Sequence, residues 1–71
     1  MTTIQSIADI IGTAPDEGDT LDELGLDLID LWRVRDDLER AHGIEIPCHA
    51  MTAWRTVADI ASCVSRAMVT A

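Results

Sequence analysis

Few side chains in this 71-residue chain suit chemistry, and most are badly spaced for it. Cys48, His49, His42 and Cys63 are the right types to hold zinc. Their spacing matches no standard finger, so two thiols and two ordinary histidines are the simpler expectation, with no metal. Ser6, Ser62 and Ser65 fall inside helical patterns, and no histidine motif stands beside them to form a nucleophile–base pair. Asp36 and Asp37 are adjacent, but on a helix neighbours point to different parts of the surface, which makes them poor acid–base partners. Trp32 and Trp54 read as packing residues rather than stacking platforms. The expectation is a protein that is not an enzyme and acts by being bound.

Charge narrows the class of partner. Lys plus Arg is 5 and Asp plus Glu is 13, a net charge of −8, and every one of the five is arginine. Nucleic acid is bound by neutralising phosphates with cations, so it is excluded as a partner, as is an anionic membrane surface. A protein carrying a basic patch is the natural match. Hydrophobic residues make up 48%, too many for a disordered acidic tail. No apolar run approaches a membrane span, so no membrane insertion is expected. No basic segment followed by an apolar stretch marks a signal peptide, so a cytoplasmic location is expected. Cys48 and Cys63 would there be free, partly buried thiols.

The elements that must position these residues are helical. Thr2 and Gln5 have capping-box spacing, and Ile4, Ile7, Ala8 and Ile11 then share one helix face until Gly12. Thr13 to Asp19 reads as loop, and Thr20 with Glu23 caps a short helical turn that drops Leu21 and Leu24 onto the core. Asp27, with Asp30 three residues on, opens a second helix whose buried face is Leu31, Val34, Leu38 and Ala41, ending at Gly43. Ile44 to Pro47 is an extended link. Cys48 to Trp54 allows one short helix. Thr56 and Asp59 cap the last helix, with Val57, Ile60, Ala61, Val64, Ala67 and Met68 inward.

The most informative stretch is Leu24-Gly25-Leu26-Asp27-Leu28-Ile29-Asp30, followed by Gly43-Ile44-Glu45-Ile46-Pro47. It resembles the acyl carrier protein family, in which a leucine-glycine pair precedes aspartate-serine-leucine at the start of the second helix, and a Glu-Ile-Pro link follows. The two motifs are separated as in that family, and the resemblance covers nearly all of residues 1–71. It implies a single all-α domain, an acyl-carrier-type four-helix bundle with a long first loop and a short third helix. The family carries 4′-phosphopantetheine on the serine after the aspartate. Here that position is Leu28, which has no hydroxyl, so no cofactor is expected on this sequence.

The resemblance also implies a docking surface at Asp27, Ile29, Asp30, Trp32, Arg33, Asp36 and Asp37. Its partners would be acyl-transferring, synthase or ligase enzymes and a phosphopantetheinyl transferase. Arg33, Arg35 and Arg40 interrupt what is usually an acidic face, and Arg33–Asp37 and Asp36–Arg40 have the spacing of i, i+4 ion pairs. Two functions fit Leu28. One is a carrier of acyl or related intermediates in which the serine has been replaced. The other is a natural unmodified pseudo-carrier that docks on, or regulates, a synthase. The near-unbroken flanks favour the first.

Overall fold

The computed structural model describes residues 2–70. It contains helix α1 (Thr3–Ile11), helix α2 (Leu28–His42), a short 3-10 helix (Cys48–Ala53) and helix α3 (Val57–Thr70). The architecture is all-α and of the expected type, with the third of its four helices wound as 3-10. One core joins them, with Ile7, Val34, Leu38, Ile46, Val57 and Ile60 at its centre.

Each long helix starts where the sequence supplies a cap. In α1 the Thr2 hydroxyl accepts from the Gln5 N–H (3.1 Å), and the Gln5 side chain accepts from the Thr2 N–H (2.8 Å). In α2 Asp27 and Asp30 do the same for one another. Gly12 and Gly43 end these helices in the left-handed region, where a side chain would be strained.

The first loop is held by the start of α3. Two of that helix's first N–H groups, which have no partner inside the helix, donate to loop carbonyls: Val57 to Asp19 (3.1 Å) and Ala58 to Glu17 (2.9 Å). Leu21 returns a bond to the Arg55 carbonyl (2.9 Å), and Thr20 and Thr56 form an isolated antiparallel bridge. Residues 21–25 are a turn rather than a helix, seating Leu21 in the core and leaving Leu24 half-buried.

Asp59 anchors the same corner. Its carboxylate accepts from the Arg55 and Thr56 N–H groups (2.9 and 3.0 Å) while its own N–H donates to the Thr56 hydroxyl. The backbone bonds from Arg55 and then Thr56 hold its pKa below the ordinary 3.8. A lowered carboxylate stabilises the fold above the unfolded value, and that stabilisation is lost as pH falls through the native one. The Asp59 carboxyl should therefore titrate below 3.8 by NMR. A midpoint at or above that value would remove the corner as a source of acid sensitivity.

Several expectations need correction. Ala41 and Met68 are exposed, because each lies at the edge of its helical stripe, near a helix end that no other described element covers. Cys48 is exposed, since it opens the 3-10 helix on the surface; Cys63 is partly buried. Thr3 and Ser6 are buried although polar, because α1 packs on α2 and the Ser6 hydroxyl faces the Asp37 carboxylate (3.4 Å). The predicted pairs Arg33–Asp37 and Asp36–Arg40 are not formed: Asp37 turns to Ser6, and Asp36 lies nearest Arg35 (3.7 Å).

Candidate functional site

Position 28 is the first residue of α2, directly after the cap formed by Asp27. The first N–H groups of a helix lack partners within it, and its dipole places positive charge there. This end of α2 projects outward: Leu28 is 64% and Ile29 is 71% exposed. One turn on, Trp32 is 39% exposed, so three large apolar side chains share a surface that a fold normally hides.

The ring of Trp32 is steadied by Arg35, whose guanidinium lies 5.0 Å from the ring centroid. The same arginine donates from Nε to the Ile46 carbonyl (2.6 Å), while Glu39 accepts from the Ile46 N–H (2.7 Å). Two side chains of α2 thus satisfy both backbone groups of Ile46, doing the work of a neighbouring strand. From the sequence alone Arg35 is one of three arginines that interrupt a docking face. The spacing of four between Arg35 and Glu39 is the signal for this pair in the sequence.

Of the candidate docking residues, Asp27, Ile29, Trp32, Arg33 and Asp36 are exposed, and Asp30 and Asp37 are partly buried. Asp27 and Asp30 are also the caps of α2, so altering either would disturb the helix start as well as any contact. Arg33, Asp36, Asp37 and Arg40 line a shallow groove of about 470 Å³ with Asp9 and Ile10 of α1. The structure therefore divides the candidates between an apolar end, at Leu28, Ile29 and Trp32, and a charged groove beside it.

The described residues contain no cluster of three or more His, Cys, Asp or Glu side chains able to hold a metal ion. None of their helices is long and apolar enough to cross a membrane.

The family model described as phosphopantetheine attachment site matches residues 2–64. The chain belongs to that family. The match runs from the cap of α1 into α3, so it includes every element that positions the start of α2. No curated protein and no solved structure matches the chain. Carrier domains of the phosphopantetheine family hold acyl intermediates and interact with synthase-type enzymes.

Proposed function

We propose that this chain is an acyl-carrier-type domain in a form that cannot be loaded. In this reading the parent function is to hold acyl or related intermediates as thioesters on 4′-phosphopantetheine. Its partners are acyl-transferring, synthase or ligase enzymes and a phosphopantetheinyl transferase. Leu28 stands where the arm would be attached.

The observation that carries the reading is position 28 itself. It is the outward-facing first residue of an intact, doubly capped helix within the family match. Phosphate is favoured at such a helix start. A leucine side chain has no oxygen to form the phosphodiester, so the group does not fit this residue and no loading step is assigned to the chain. The exposed patch of Leu28, Ile29 and Trp32 favours a second reading, a natural pseudo-carrier that keeps only docking.

One experiment separates the two. The Leu28→Ser variant and the unaltered chain are incubated with a phosphopantetheinyl transferase and coenzyme A, and both are weighed by mass spectrometry. A phosphopantetheine mass gain on the variant, with none on the unaltered chain, supports the carrier. A folded variant that gains no mass removes it and leaves the pseudo-carrier.

A further inference from the structure

Three of the chain's five arginines lie on α2, in a protein whose net charge is −8. Arg35 is occupied with Ile46, Glu39 and Trp32. Arg33 and Arg40 are exposed, and among the described residues neither has an ion-pair partner. The carboxylates within reach along the helix are drawn elsewhere, Asp36 toward Arg35 and Asp37 toward Ser6. Two guanidinium groups without an ion pair therefore stand on one side of α2, seven residues apart, in the groove that α2 forms with α1, which Asp9, Asp36 and Asp37 also line. At 1.5 Å of rise per residue they are about 10 Å apart along the axis. Ile29 lies one turn before Arg33, so the apolar end adjoins the first of the two cations, and Asp36 and Asp37 lie between that cation and Arg40.

We infer that the protein surface docking on α2 presents an apolar socket for Ile29 and Trp32 and two carboxylates, about 10 Å apart, opposite Arg33 and Arg40. This deepens the docking reading above and rests on it for the face concerned. Arginine forks pair with carboxylates in defined geometry, so the two contacts fix the register of docking as well as its location. The charge of −8 opposes the approach of a strongly acidic body, but such repulsion is screened beyond about 8 Å at physiological salt. The carboxylates therefore belong to a local patch on a partner whose overall charge is neutral or basic. A uniformly basic partner would bring its cations against Arg33 and Arg40.

The test uses two synthetic helical peptides with the same leucine and phenylalanine stripe. They differ only at two flanking positions seven residues apart, which are glutamate in one and lysine in the other. Each is titrated into the isotope-labelled full chain and followed by amide NMR shifts. The glutamate peptide should shift Ile29, Trp32, Arg33 and Arg40 and bind about fivefold more tightly than its lysine twin, as two exposed ion pairs allow. The double change Arg33→Glu with Arg40→Glu should reverse the preference, with circular dichroism confirming an intact fold. Equal or tighter binding of the lysine peptide to that face overturns the inference but leaves the docking face standing, as does a preference that survives the double reversal. Shifts confined to other surfaces for both peptides overturn the inference and the docking face together. Loading of the Leu28→Ser variant is unaffected by either result.

Discussion

Leu38→Ala is expected to lower the unfolding free energy by about 2–5 kcal/mol, whereas Leu28→Ala should move it by less than about 0.5 kcal/mol. The two leucines lie on the same helix, ten residues apart, and the substitution removes the same atoms. Leu38 is fully buried and Leu28 is 64% exposed. At position 38 the loss combines transfer of the side chain with a cavity in the core cluster, which its other members would only partly refill. At position 28 the removed atoms already face water. A domain of this size has a total stability on the order of 5 kcal/mol, so Leu38→Ala should be largely unfolded in mild urea. Urea unfolding followed by circular dichroism reads both. Equal losses at the two sites would mean that Leu28 is packed, and the start of α2 would no longer be an open surface. The contrast also makes the serine replacement a fair test, because failure to load could not be blamed on an unfolded protein.

Much of this fold was legible in the sequence because its elements start and stop on local signals. Thr2/Gln5, Asp27/Asp30 and Thr56/Asp59 each form the cap their spacing implies, and Gly12 and Gly43 close the first two helices. The regions read less well depend on contacts between distant residues. Helical periodicity placed Ala41 and Met68 inside, but whether the edge of a stripe is covered depends on how the neighbouring helices end. Spacing along α2 pairs Arg33 with Asp37 and Asp36 with Arg40, but Ser6 on α1 and Arg35, the residue directly before Asp36, compete for those carboxylates. The long first loop read as loop. Its attachment to the first turn of α3 was not legible, since Asp19 and Glu17 contribute backbone carbonyls and any residue has those. For the site, the position of Leu28 and the exposure of Ile29 followed from the helix start. The division between apolar end and charged groove required α1 to be in place.

Arg35→Ala is expected to destabilise the fold by about 1.5–3 kcal/mol, a large effect for a residue near the surface. An arginine with two ion pairs on a helix invites the view that the pairs matter most. The distances argue otherwise. Its contacts with Asp36 and Glu39 are 3.7 and 3.6 Å, longer than a hydrogen bond, and a pair with one exposed partner such as Asp36 contributes about 0–1 kcal/mol. The bond from Nε to the Ile46 carbonyl is 2.6 Å and comes from a charged donor to a residue that is 1% exposed. Truncation leaves that carbonyl without its partner at a site where water has poor access, which is the costly case. Glu39→Ala should act similarly through the Ile46 N–H, and Glu39→Gln should retain most of the stability because the amide oxygen can still accept. The two truncations share one residue as their target, so their effects should add to less than the sum in a double-mutant cycle. Hydrogen exchange at the Ile46 amide provides a local readout, with faster exchange expected in Glu39→Ala than in Glu39→Gln. Fluorescence of Trp32, measured with Trp54 replaced by phenylalanine, should become more open to acrylamide quenching in Arg35→Ala, because the cation that covers the ring is gone. Full additivity with unchanged exchange at Ile46 would show that α2 does not hold the link, and the steadying of Trp32 would lose its physical basis.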